Sequence, residues 1–198
     1  MARILSFAPE QHEYQLDGEI LPSVSELTRF LTRETYSDVS QYTLDRAADR
    51  GTTVHKATEA LDKFGEVEVD DEYLPYLEAY ISFRREHNVR WDRIEYASYN
   101  AEYRYAGTID RMGTVDGKKA LLDIKTTSTI HKPLVTTQLA LYRMMLESQG
   151  DGPETQYVLQ LKKDGKYRLL ELPFRDDLAK ACILLHNELK TKKRKKED

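Results

Sequence analysis

The chain has 198 residues, a length that suits one domain with one hydrophobic core. With 40% hydrophobic and 32% charged residues, its composition is that of a folded globular protein and excludes a disordered chain. Its single cysteine, Cys182, excludes an internal disulfide, a cysteine-ligated zinc site and an iron-sulfur cluster. The sequence has neither a signal peptide at its start nor a run of eighteen apolar residues, so we expect a cytoplasmic protein with no membrane partner.

Charge is divided unevenly along the chain. The net charge is -4, but residues 190–198 carry six basic and two acidic side chains, which leaves 24 basic and 32 acidic side chains in the remainder. We therefore expect one domain over 1–189 and a basic tail over 190–198 that is disordered. The acidic body argues against a broad nonspecific phosphate-binding surface, although metal ions can neutralise part of its charge.

The first predicted elements are a hairpin and a short helix. The segment HEYQLDGEILP contains the turn pair Asp17-Gly18 between two strand-like runs, which is typical of a tight hairpin. Ser23 and Glu26 then form the pattern of a capping box, which predicts a helix that begins there and extends to about Leu31.

Two longer helices follow. The spacing of apolar residues predicts one from about 39 to 64, in which Gly51 is a candidate break and Gly65 is a good terminator. A second helix is predicted over 73–86, where Pro75 is tolerated in the first turn.

Strands dominate from about 94 to 125, and the second half of the chain returns to a helix and a hairpin. The helix is predicted over 133–148, and the hairpin YVLQLKKDGKYRLLEL turns at Asp164-Gly165. A last helix begins near 176, and four residues at helical spacing are predicted to form its buried face: Leu178, Cys182, Leu185 and Leu189. This alternation predicts an α/β or α+β fold.

The stretch GTIDRMGTVDGKKALLDIKTT concentrates the candidate chemistry. If Asp116-Gly117 forms a two-residue turn, counting outwards from it places Asp110 opposite Asp123 on the neighbouring strand. Opposed side chains have Cβ atoms about 4.5 to 5.5 Å apart, and like charges at that distance destabilise a sheet. A divalent cation between the two carboxylates is a natural compensation.

Side-chain alternation adds a lysine to this pair of acids. Asp110, Asp123 and Lys125 share one face of the hairpin, and three apolar residues share the other, which we expect to face the core: Ile109, Leu122 and Ile124. Carboxylate oxygens suit Mg²⁺ or Mn²⁺, and the lysine can reach a water or phosphate oxygen at the same site. A metal held in this way polarises a phosphodiester and lowers the pKa of an attacking water.

A structural interpretation of the same residues remains open at this stage. Asp-x-Lys occurs by chance in highly charged chains, and Asp110 could instead form a surface salt bridge with Arg111 or Arg104. Glu95 and Glu102, which precede the first acidic strand, are interpreted as surface residues.

Two helical pairs accompany the acidic hairpin. RGTTVHKATE places His55 and Glu59 four residues apart, and TTQLALYRMM does the same for Gln138 and Tyr142, so each pair shares one helical face. Together, the order RGTxVHxxxE, GTID, DIK and QLALY resembles the RecB-like branch of the PD-(D/E)xK nuclease superfamily, which includes phage-type exonucleases. The resemblance covers 50–142, and Asp123 stands where many relatives carry glutamate.

The resemblance implies a fold and a set of site residues. The fold is a restriction-endonuclease-like core, with a central mixed β-sheet flanked by helices and the acidic hairpin in its middle. His55, Asp110, Asp123 and the backbone carbonyl of Ile124 would bind one or two Mg²⁺ or Mn²⁺ ions, and Asp110, Asp123 and Lys125 would be catalytic. Supporting or DNA-contacting roles would fall to six further residues: Arg50, Glu59, Thr126, Thr127, Gln138 and Tyr142.

The implied function is a Mg²⁺-dependent deoxyribonuclease of DNA recombination or repair. The set of motifs shared with the RecB-like branch favours an exonuclease that leaves 5′-phosphates and works in the cytoplasm of a bacterium or a phage-infected host. Its partners would be DNA, a recombination or replication protein, and further copies of the chain, since related exonucleases form rings. Two alternatives are an endonuclease of the same superfamily and a catalytically silent DNA-binding subunit.

Overall fold

The computed structural model describes residues 3–8, 11 and 13–197, with the side chains of 191–197 left out. Over these residues the fold is mixed α/β, with two sheets and six helices. The strands are β1 Leu5–Ala8, β2 Glu13–Leu16, β3 Glu19–Leu21, β4 Val89–Asn100, β5 Tyr105–Val115, β6 Lys118–Lys125, β7 Thr155–Leu161 and β8 Tyr167–Glu171. The helices are α1 Val24–Leu27, α2 Arg29–Thr35, α3 Gln41–Phe64, α4 Leu74–Glu86, α5 Lys132–Ser148 and α6 Asp176–Glu197. None of the helices in this described part is long and apolar enough to span a membrane.

A five-stranded mixed sheet forms the centre of the molecule. Its strand order is β4-β5-β6-β7-β8, and the neighbours are antiparallel except for β6 and β7, which are parallel. Parallel neighbours need a crossover, and α5 supplies it. The predicted central mixed sheet with the acidic hairpin in its middle is therefore confirmed. A separate antiparallel sheet, β1-β2-β3, contains the predicted Asp17-Gly18 hairpin.

Helices cover both faces of the central sheet. On one face, side chains of α1, α5 and α6 pack with Met112 and Leu121 of the hairpin. On the other face, Val54 of α3 and residues of α4 pack with Leu122 and Ile124. Both faces of the hairpin are therefore packed, including the face that carries the two acids. Because both faces are buried, polar side chains of the hairpin reach solvent only near the strand ends.

The predicted turn at Asp116-Gly117 sets the register of the hairpin. Both residues have positive φ, 51° and 82°, as a type I′ turn requires. Val115 pairs with Lys118, and the ladder continues to the pair Arg111–Leu122. It ends there, one position before the two acids, so they lie where the strands begin to separate.

Helix boundaries follow the capping signals with small differences. Ser23 and Glu26 form the predicted capping box at the start of α1, but the first helix ends at Leu27, and α2 then extends to Thr35. In α3 the candidate break at Gly51 does not occur, because 24 residues form one helix. Gly65 terminates α3 in the left-handed conformation, as predicted.

The buried face of α6 differs from the predicted one. Ala179 and Ile183 are the buried apolar residues, whereas Leu185 and Leu189 are exposed and Cys182 is half-buried. α6 packs on α5 and α1 through Ala179 and Ile183, each one position after a predicted residue, so the buried stripe is rotated by one residue from the predicted one. The backbone of α6 continues through Glu197, across most of the predicted tail.

Candidate metal centre

A distortion of β4 brings Glu95 to the acidic hairpin. Glu95 has φ of 46°, a left-handed conformation that is uncommon for a residue other than glycine, asparagine or aspartate. Its neighbours Ile94 and Tyr96 pair with Arg111 and Ile109, so Glu95 lies across from Asp110. Unfavourable backbone conformations of this kind cost about 1 to 3 kcal/mol and concentrate at functional sites. The interpretation of Glu95 as a surface residue is therefore wrong, whereas Glu102 is exposed as predicted.

The imidazole of His55, in the middle of α3, meets these two carboxylates. Its Nδ1 lies 3.3 Å from Oε1 of Glu95 and 3.6 Å from Oδ1 of Asp110. One ligand atom from each of these three side chains fits within a group whose members all lie within 4.8 Å of one another. The three residues could therefore hold a metal ion.

The other imidazole nitrogen orients His55. Nε2 lies 3.1 Å from the carbonyl oxygen of Ile124, so with Nε2 protonated the ring donates to that carbonyl and turns Nδ1 towards the carboxylates. The Ile124 carbonyl, which the resemblance implies as a metal ligand, has in this structure the role of a hydrogen-bond acceptor for His55.

Burial disfavours a charged imidazole, but the carboxylates of Asp110 and Glu95 outweigh it and raise the pKa of His55 from 6.5 to about 9. Without a metal ion, His55 is therefore cationic at neutral pH and offsets part of the acidic charge. A histidine whose pKa is raised by folding stabilises the protein fully below the unfolded value, and this contribution disappears as the pH rises through the folded value.

The free energy of unfolding in EDTA is therefore expected to fall as the pH rises from 6.5 to 9, by at most about 3 kcal/mol from His55. Urea denaturation across this pH range measures the change, and His55→Gln should remove it. His186→Gln is the matched control, because burial lowers the pKa of His186 and it titrates below this range. An equal alkaline loss in wild type and His55→Gln would contradict the assignment.

Asp110 is fixed at the point where the β5–β6 ladder ends. Its Oδ2 accepts a hydrogen bond of 2.7 Å from the backbone N–H of Ile124, in place of a further strand–strand bond. This contact leaves Oδ1 directed towards His55. Asp110 is 8% exposed, so its carboxylate is surrounded by protein groups rather than by water.

Lys125 and Asp123 form a second pair beside this group. Nζ of Lys125 donates to Oδ1 of Asp123 at 2.8 Å and lies 2.8 Å from its Oδ2. Burial and the nearby Asp110 carboxylate raise the pKa of Asp123, and the lysine ammonium opposes that shift. Burial also disfavours the ammonium, but the two aspartates outweigh it and raise the pKa of Lys125 above its ordinary value. Lys125 is therefore a cationic hydrogen-bond donor at neutral pH.

Tyr142, one residue of the pair predicted on α5, lies beside Asp110 and Asp123. Burial and the charges of Asp110 and Asp123 raise its pKa well above the ordinary value. Its ring also leaves little room for a side chain at position 107, because a Cβ added to Gly107 would lie 3.0 Å from Cε1 of Tyr142. Gln138, one turn earlier, has a buried Oε1 without a hydrogen-bond partner.

The remaining predicted residues form contacts around the end of β6. Nε of Arg50 lies 3.3 Å from Oγ1 of Thr126, which joins α3 to the residue after Lys125. Thr127 donates to the carbonyl of Thr129 in a local turn.

Two glutamates are candidate neighbours of His55, and the structure gives them different partners. Glu59, one turn further along α3, forms an ion pair of 2.5 Å with Lys63 on its own helix. Glu95 instead contacts His55 directly, and the group of possible ligands includes it and not Glu59.

The alternative of a surface salt bridge at Asp110 is wrong. Arg104 pairs with Glu19, and Arg111 directs its guanidinium to Asp62, Glu95 and the backbone carbonyl of Asp110. Arg111 is completely buried, which the sequence did not indicate.

The donor set fits a divalent cation. Two carboxylates and an imidazole suit Mn²⁺ and related ions, and the carboxylate oxygens suit Mg²⁺. Among the described residues, the group of possible ligands does not include Asp123, whose two carboxylate oxygens both lie 2.8 Å from Nζ of Lys125.

Comparisons with known proteins do not assign a family. No protein-family model matches this sequence, and no curated protein matches it. The geometry around His55, Glu95 and Asp110 is therefore the basis for a functional proposal.

Proposed function

We propose that the protein is a metal-dependent deoxyribonuclease with a restriction-endonuclease-like core. The observation that carries the proposal is the convergence of His55, Glu95 and Asp110 beside the Asp123–Lys125 ion pair, at the separating ends of a central hairpin. The mixed sheet, with α5 crossing from β6 to β7, agrees with the fold that the sequence resemblance implies. A carboxylate and lysine cluster of this kind suits phosphodiester hydrolysis.

His55, Glu95 and Asp110 would hold the ion, proposed to be Mg²⁺ or Mn²⁺. When bound, such an ion polarises a phosphodiester and lowers the pKa of an attacking water. Asp123 holds the Lys125 ammonium at 2.8 Å and adds negative charge next to Asp110. Because the Lys125 ammonium stays protonated, it acts as a donor that orients a water or a phosphate oxygen rather than as a base.

Other predicted residues would contact DNA or support the site. Tyr142 lies beside the aspartates, and Arg50 and Thr126 join at the end of β6, where their polar groups can meet a phosphate. Gln138 carries a buried acceptor that lacks a donor. The positions of Arg50 and Thr126 support the proposed contact with nucleic acid, whereas Gln138 and Tyr142 would support the site.

The finer parts of the proposal come from the sequence resemblance. They are exonuclease action on DNA with 5′-phosphate products, a role in phage or bacterial recombination or repair, a location in the cytoplasm, and a replication or recombination protein or further copies of the chain as partners.

The test incubates purified protein with linear and covalently closed circular DNA in Mg²⁺, Mn²⁺ or EDTA, beside Lys125→Ala. We expect degradation of linear DNA with either metal, no degradation in EDTA, and a loss of at least about a hundredfold in the variant. Nicking of closed circles would assign an endonuclease instead. Lys162→Ala, a change on the β7–β8 loop, is the control. Cleavage that persists in EDTA or in Lys125→Ala would contradict the proposed site, and DNA binding without cleavage would indicate the silent subunit.

A further inference from the structure

Arg111 connects the ligand group to the body of the protein. Nη1 of its guanidinium donates to Oε1 of Glu95 at 3.1 Å and to the carbonyl of Asp110 at 2.7 Å. Nε and Nη2 bind α3, at Oδ2 of Asp62 (2.8 Å) and Oγ1 of Thr58 (3.1 Å). One rigid side chain thus holds β4, β5 and α3 together at the point where each contributes a possible ligand.

The partner of Arg111 on α3 is itself fixed. The side chain of Asp62 is 1% exposed, accepts a hydrogen bond of 2.6 Å from the hydroxyl of Tyr80 and forms an ion pair with Arg84. Thr58 and Asp62 follow His55 by one and two turns of α3, so a group anchored to both fixes the rotation of the helix that carries the imidazole. The guanidinium therefore controls the position of His55 as well as that of Glu95.

We propose that Arg111 is a positioning residue for the metal group, which it serves by fixing the Glu95 carboxylate and the His55 helix in the geometry of a binding site. The proposal rests on the metal site of the proposed function. Arg111 contacts Glu95 but is not a ligand, and its positive charge would by itself repel a cation. Its benefit is geometric, because a planar guanidinium bonds Glu95, Asp110, Asp62 and Thr58 in fixed directions.

Replacing Arg111 with lysine tests whether its geometry or its positive charge serves the metal group. Arg111→Lys keeps the cation but loses the fork of donors, so Glu95 and α3 can no longer be held at once. Arg143→Lys is the matched control, because Arg143 is also a buried arginine paired with two carboxylates, Glu147 and Asp176, but has no described contact with Glu95 or Asp110. Thr58→Val is a milder second variant, which keeps Arg111 and removes one acceptor of its guanidinium.

The experiment measures Mn²⁺ binding to the full chain by electron paramagnetic resonance, after circular dichroism and thermal unfolding in EDTA have identified the folded variants. We expect Arg111→Lys to weaken binding by at least about tenfold, Thr58→Val by severalfold, and Arg143→Lys to match wild type. If Arg111→Lys does not fold, Thr58→Val decides the question. Equal or tighter Mn²⁺ binding in the Arg111 and Thr58 variants would overturn the inference while leaving the metal site intact. Absence of Mn²⁺ binding by the wild type would overturn the metal site and this inference together.

Discussion

Asp110→Asn is expected to abolish divalent metal binding and to reduce DNA cleavage by at least about a thousandfold, which corresponds to about 4 kcal/mol of lost transition-state stabilisation. Asp110 contacts the His55 imidazole through Oδ1 and accepts a hydrogen bond from the backbone N–H of Ile124 through Oδ2. Asparagine keeps the size of the side chain and an oxygen that can accept from Ile124 N–H. It removes the charge that faces His55, so the expected loss reflects the ligand rather than the fold.

Single-turnover cleavage of linear DNA at saturating Mg²⁺, together with Mn²⁺ titration, measures this effect. Thermal unfolding in EDTA shows whether Asp110→Asn is folded. A folded variant that cleaves within tenfold of wild type would remove Asp110 from the site.

The second large effect is expected for Glu95→Gln, with a loss of cleavage of at least about a hundredfold and weaker Mn²⁺ binding. Glutamine retains an oxygen that can accept from Arg111, so the local packing is kept, but it is a poor substitute for a carboxylate ligand. One of the two carboxylates that raise the pKa of His55 is also lost, so the pKa of His55 should move back towards 6.5.

Glu102→Gln provides the matched comparison. Glu102 occupies the same β4–β5 hairpin but is exposed, and its backbone N–H bonds Asn100 in the hairpin loop. Cleavage by Glu102→Gln should stay within about twofold of wild type. Similar rates for the two glutamine variants would show that the Glu95 carboxylate has no role at the site.

The acidic hairpin was predictable because its turn has a strong local signal. Asp116 and Gly117 tolerate positive φ, and a two-residue turn fixes the register for every position that follows. The proximity of Asp110, Asp123 and Lys125 follows from that single turn. The position of His55 needed the resemblance to a family, because a histidine on a long helix carries no signal of its own.

Glu95 was missed because the turn that follows its strand has a weaker signal. The β4–β5 ladder closes at Asn100 and Tyr105 with a four-residue loop, and counting back from that pair places Glu95 across from Asp110. If the ends of this loop were known in advance, the counting that relates Asp110 to Asp123 would also relate Asp110 to Glu95. The loop Ala101–Arg104 has no Asp-Gly or Asn-Gly pair, so the register could not be counted from the sequence alone.

Arg111 illustrates a different limit. A charged residue in a strand alternates with apolar neighbours whether its face meets solvent or a helix, and only the packing of α3 decides which. Here α3 supplies Asp62 and Thr58, and each nitrogen of the buried guanidinium donates at least one hydrogen bond. Buried charge of this kind depends on the three-dimensional partners, which no local pattern encodes.

The most direct test of the metal centre is anomalous X-ray diffraction from crystals of the wild-type protein soaked in Mn²⁺, recorded at the manganese absorption edge. The account predicts an anomalous peak in contact with the side chains of His55, Glu95 and Asp110, and loss of that peak in Asp110→Asn. A wild-type crystal with no peak among these three side chains, or with manganese bound only elsewhere, would contradict it.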